Sequence, residues 1–203
     1  MKPMNILLGS ACVAALTNGA IAGIWLNELH YDNAGQDVGE AVEIAADFVI
    51  DPELLEVALY NGSNGTVYVT AGGFEVNEVE GGSVAWRSIS GIQNGGPDGL
   101  VVLYDSVVIQ FVSYEGTFTA TNGVAEGMTS EDLGLSETSS SALGTSLQLT
   151  GTGQSYSDFS WLGGVSETFG ELNQGQVIAA VPAPGALAIL GLAGLTARRR
   201  RRD

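Results

Sequence analysis

The chain of 203 residues carries 23 acidic side chains against seven Lys and Arg, a formal charge of −16 at pH 7. Lys2 and the run Arg198 to Arg202 hold six of the seven bases, so residues 23–197 keep 22 acids and Arg87 alone, a net −21. Such a body repels phosphate, which excludes binding of nucleic acid through a basic face, and a single histidine, His30, excludes a His-based zinc site.

The N-terminal stretch MKPMNILLGSACVAALTNGAIAG has one Lys, an apolar run from Ile6 to Leu16, and small residues at Ala20 and Ala22. That order is the layout of a secretory signal peptide over residues 1–22, cut before Gly23. Cys12, the one cysteine, leaves with it. The mature chain then has neither a disulfide nor thiol chemistry.

Residues 23–178 are rich in Gly and in short β-branched runs. Strands are predicted at 24–31, 41–45, 57–62, 66–70, 83–89, 99–105, 106–114, 145–151 and 157–162. Several alternate apolar and polar residues, as half-buried antiparallel strands do. Asn61-Gly62, Asn64-Gly65, Gly72-Gly73, Gly95-Gly96 and Asp105-Ser106 supply turns. With no sustained helical stripe, the pattern predicts an all-β fold, an immunoglobulin-like β-sandwich. The Ser/Thr-rich region from Thr119 to Ser141 reads as a long surface loop.

The chemical inventory of this body is thin. YDNAGQDVGE, residues 31–40, places Asp32, Asn33, Asp37 and Glu40 along a Gly-containing loop. Hard oxygens in that arrangement suit Ca²⁺ more than a transition metal, with Asp32, Asp37 and Glu40 as the ligands. The plainer reading is that Asp32 and Asn33 shape the turn while Asp37 and Glu40 face water. His30 reads as a strand histidine, since no G-x-S-x-G elbow accompanies it. Glu78/Glu80 and Glu131/Asp132 read as charged decoration rather than a glycosidase pair. No catalytic residue is assigned.

Ile178 to Ala197 is 20 residues without a charge, long enough to span a hydrocarbon core. Pro182 and Pro184 push the stiff part to Gly185, which leaves 13 residues, roughly 20 Å of helix. Arg198, Arg199, Arg200, Arg201 and Arg202 follow it. Under the positive-inside rule they stay cytoplasmic and act as a stop-transfer lock.

Residues 181–203 resemble the PEP-CTERM sorting signal of Gram-negative bacteria: a Pro motif, an apolar helix, then arginines. Here the motif is Val181-Pro182-Ala183-Pro184, with Ala183 where that family has Glu. The resemblance implies an inner-membrane intermediate, cutting by an exosortase, and transfer of the body to the cell exterior.

A second resemblance covers most of the mature chain. WLNELHYDNAGQDVGEAVEIA, ALYNG (58–62), IQNGGPDGLVVLYD (92–105), VIQFVSYEGTFTA (108–120), SLQLTGTG (146–153) and FGELNQGQ (169–176) are similar in order to the lamin tail domains of secreted bacterial proteins. Leu54-Leu55 depart from that family's usual Gly-Trp. The resemblance implies a compact immunoglobulin-like sandwich. The expectation from both is a non-enzymatic exported surface or matrix protein, structural or adhesive, with an extracellular polysaccharide or surface protein as partner. The alternatives are an accessory module for a separately encoded secreted nuclease or phosphatase, and a secreted hydrolase.

Overall fold

The computed structural model describes residues 23–179. The expected signal peptide and sorting segment lie outside the described residues, apart from Gly23. Within them are twelve strands in two sheets. The strands are β1 (Ile24–His30), β2 (Ala41–Ala46), β3 (Leu55–Asn61), β4 (Thr66–Ala71), β5 (Glu75–Val79) and β6 (Gly82–Ser88). β7 (Asp98–Tyr104), β8 (Val107–Tyr114), β9 (Glu131–Asp132), β10 (Thr145–Gly153), β11 (Phe159–Ser166) and β12 (Gln176–Ile178) complete them. The first sheet runs β11-β10-β1-β2-β6-β5, with β12 parallel to β10, and the second runs β4-β3-β7-β8-β9. The all-β, two-sheet expectation is met.

The two sheets meet over one apolar core. Leu26, Leu29, Tyr31, Val42 and Ile44 of the first sheet's side pack with Val57, Leu59, Leu100, Val102 and Val112 of the second. Tyr31 and Tyr114 stack across it, 3.8 Å between ring centroids. Simple alternation along IWLNELHY would aim Ile24, Leu26, Glu28 and His30 at one face. Instead the register against β2 slips between Leu26 and Glu28. The slip is a β-bulge, and it keeps Leu29 and Tyr31 in the core while turning Glu28 and His30 outward to join Asn27.

Outward is not toward water. β1 and β2 are buried along their whole length, because residues 167–178 form a strap over the outer face of the first sheet. There Trp25, Ala45, Val84, Leu149, Phe159 and Ile178 make a second apolar cluster. The outer face of the second sheet is covered likewise: Tyr60, Val101 and Phe111 pack against Phe118, Ala120 and Ala125. The region from Thr119 to Ser141 is therefore more than a surface loop. It includes β9, which pairs parallel with β8, and it buries Ala120, Ala125, Leu133 and Glu137.

Most strand predictions hold within a few residues. β10 and β11 run further than expected, through Gly151, Gly153, Gly163 and Gly164, glycines that read as strand ends. β5, β9 and β12 lie outside the predicted strands; β5 is an edge strand with only Val76 and Val79 as apolar residues. Asp105 and Ser106 take φ of 49° and 62° in the tight β7–β8 turn, the left-handed pair that a two-residue hairpin demands. Ile178, at the start of the uncharged stretch, is a strand residue. Among the described residues no helix is long and apolar enough to cross a membrane.

Candidate functional site

The polar residues of the sequence converge on the outer face of the first sheet and on the end of the sandwich next to it. His30, turned outward by the bulge, is fully buried. Its Nδ1 lies 2.8 Å from Glu137 Oε1, and its Nε2 faces Asn33 Oδ1 at 3.2 Å and the Val38 carbonyl at 3.1 Å. Every group around the ring is an acceptor, which favours the imidazolium. The Glu137 hydrogen bond is the main cause that lifts His30 to about 9, against the opposing effect of burial.

Glu137 is held as firmly as the histidine it faces. Its Oε2 accepts from the backbone N–H of Tyr31 at 2.6 Å and of Asp32 at 3.1 Å, while its own N–H donates to Tyr31 Oη at 2.7 Å. The pair thus pins the Thr119–Ser141 region to the end of β1. It is the only ion pair among the described residues.

The loop after β1 gives the three carboxylates expected to share a cation different partners, although Asp37 and Glu40 border the same pocket. Asp37 Oδ2 accepts from Asn94 Nδ2 at 3.0 Å, and its Oδ1 accepts from the Asn33 N–H. Asp32 comes to the same Asn94, and burial raises its carboxyl, with the Asp37 charge adding to the rise. Glu40 turns elsewhere: its Oε2 accepts from the Gly91 N–H at 2.7 Å. Asp32 and Asp37 therefore meet, whereas Glu40 ties the loop to residue 91. Among the described residues no group of three or more His, Cys, Asp or Glu is arranged to hold a metal ion. Glu78, Glu131 and Asp132 are exposed on β5 and β9, with Glu80 just beyond β5.

A second carboxylate pair, unnoticed in the sequence, lies under the strap. Glu28 and Glu43 are direct partners across β1 and β2, and both are fully buried. Glu28 accepts from Ser146 Oγ (2.6 Å), Gln148 Nε2 (3.0 Å), Thr168 N (2.9 Å) and Thr168 Oγ1 (3.0 Å). Glu43 accepts from Asn27 Nδ2 at 2.8 Å and from Gly170 N at 2.6 Å. Asn173 Nδ2 donates to the carbonyls of Asn27 and Leu149, closing the network. Burial raises both carboxyls, and with Glu28 adding its charge Glu43 reaches about 8. Gly170 allows the strap to come this close. At its φ of 90°, a Cβ would lie 3.1 Å from Trp86 Nε1.

These arrangements restrict the chemistry. His30 has no free nitrogen lone pair to act as a base. The Glu28–Glu43 pair lies beneath the strap, with no access for a substrate. What faces solvent beside them is a groove bordered by Trp86 and Phe169. No protein-family model matches the chain, and comparison with curated proteins and with solved structures gives no match.

Proposed function

We infer that this protein is a non-enzymatic exported module, structural or adhesive, carried to the cell surface or extracellular matrix and released there from an inner-membrane intermediate. In this reading the two-sheet body is a lamin-tail-like, immunoglobulin-like sandwich, and residues 181–203 are a PEP-CTERM-like signal cut by an exosortase at Val181 to Pro184. The observation that carries it is the placement of the paired strands, which run from Ile24 to Ile178. Among the described residues the last backbone hydrogen bond on that side is from Ala179 N to the Gly153 carbonyl. Cuts before Gly23 and near Pro184 remove none of these strands, so both expected cuts fall outside the described sandwich. The saturation of His30 speaks against its use as a general base.

Mass spectrometry of the exported protein tests this reading. A start at Gly23 and an end near Pro184 are expected. An intact run of arginines on extracellular material would overturn the sorting assignment.

A further inference from the structure

Beside the strap is a groove of about 580 Å³, lined by Trp86, Ser88, Thr168 and Phe169 and by the exposed carboxylates Glu167 and Glu171. Trp86 and Phe169 stack at 6.2 Å with 26° between their planes, and both are only half-buried. Glu75 stands opposite Trp86 across the β5–β6 pair and is exposed, which puts its carboxylate on the same face. Ser88 and Thr168 already donate inward, to the Glu40 carbonyl and to Glu28. The groove thus presents aromatic faces, the two lining carboxylates Glu167 and Glu171 and two hydroxyl oxygens, with the Glu75 carboxylate on the neighbouring strand. Arg87, the only Lys or Arg among the described residues, is turned by strand alternation to the opposite face of β6.

An aromatic-walled groove whose polar side chains, the Trp86 indole N–H apart, serve as acceptors fits a flat ligand rich in donors. A guanidinium has five N–H donors and no acceptor, stacks on aromatic faces, and is more weakly hydrated than an ammonium. A neutral sugar's hydroxyls can donate to the same carboxylates, but they bring no positive charge to pair with them. The −21 body adds long-range attraction for a cation. We propose that the Trp86–Phe169 groove docks an arginine side chain of a partner protein, its guanidinium lying on the aromatic pair and donating to Glu75, Glu167 and Glu171. The inference rests on the reading of this chain as an exported binding module, since processing removes Arg198 to Arg202 and leaves the arginine to come from another protein.

The confounding effect is plain attraction between any polycation and an acidic surface, so the test must be specific to the groove. The full chain, with Arg198 to Arg202 changed to Gln so that they do not compete, is titrated calorimetrically with hexa-arginine, hexa-lysine and hexa-citrulline. About 0.15 M salt limits surface attraction to roughly 8 Å. Hexa-arginine is expected to bind about tenfold tighter than hexa-lysine, and hexa-citrulline not to bind. Trp86→Ala should weaken hexa-arginine binding about tenfold. Glu171→Gln, an exposed change that leaves the packing in place, should weaken it severalfold. Equal affinity for the arginine and lysine peptides, or binding that ignores both substitutions, would overturn the proposal. A neutral hexasaccharide such as cellohexaose that binds more tightly and displaces hexa-arginine would also overturn it, in favour of a glycan site. Processing is read separately by mass spectrometry, so failure here leaves the export reading standing.

Discussion

His30 shows how one buried side chain ties stability to pH. Its folded pKa of about 9 stands above the ordinary 6.5, so its contribution is fully present below pH 6.5 and is lost as pH rises through 9. Removing the ring would leave Glu137 buried without its partner, a change that costs about 3–5 kcal/mol. His30→Ala is therefore expected to lower the urea midpoint strongly at pH 6, and His30→Gln, which keeps a donor toward Glu137, to lower it less. Equal midpoints for wild type and His30→Ala would show that the pair holds nothing. The histidine's place in a strand was legible, because HY follows an apolar run. Its partner was not: Glu137 lies 107 residues away in a Ser/Thr-rich segment, and no local pattern marks a carboxylate that will be buried. Asn27 is more instructive. Leu26 and Leu29 are three apart in a strand, and that break of phase in IWLNELHY is the bulge that turns Glu28 and His30 outward.

At the scale of elements, the strap over the first sheet depends on carboxyls that titrate above their usual range. Glu43, raised from 4.5 to about 8, follows the same sign as His30: its contribution is complete below pH 4.5 and lost as pH rises through 8. Wild-type protein should then melt at a lower temperature at pH 9 than at pH 5. In Glu43→Gln, which cannot ionise, that difference should shrink, by roughly 2–4 °C for each 1 kcal/mol removed from the pH dependence. Identical pH profiles in melts of the two proteins would mean that Glu43 stays ionised throughout, held by Asn27 and Gly170. The central strands and most turns could be read from β-branched runs and Gly pairs. The straps could not. Alternation in a sequence records which residues share a face, and here the polar face of β1 and β2 meets another layer of protein rather than water. TFGELNQGQ carries few apolar residues, so its burial rests on the hydrogen bonds of Thr168, Gly170 and Asn173 to groups 127 to 146 residues away.

For the whole molecule, the dominant quantity is charge without compensation: 22 acids and one arginine among the described residues, with one ion pair, formed by a histidine. Self-repulsion of that body is relieved by any electrolyte, because screening depends on ionic strength. A bound cation would act differently, adding RT ln(1 + [L]/Kd), about 2.7 kcal/mol at a hundredfold excess, through named ligands. The sequence points to Asp32, Asp37 and Glu40 for that role. In the fold, Asp32 and Asp37 meet at Asn94, while Glu40 spends its carboxylate on the Gly91 N–H. Two carboxylates leave most of the six to eight oxygens that Ca²⁺ takes to be found elsewhere. Melts in millimolar CaCl₂ and in NaCl of equal ionic strength should therefore shift together, for the wild type and for Asp37→Asn alike. A further rise of several degrees specific to Ca²⁺, present in the wild type and absent in Asp37→Asn, would establish the cation site and show that Glu40 exchanges Gly91 for the metal. The same rise surviving in Asp37→Asn would place the cation at another part of the acidic surface.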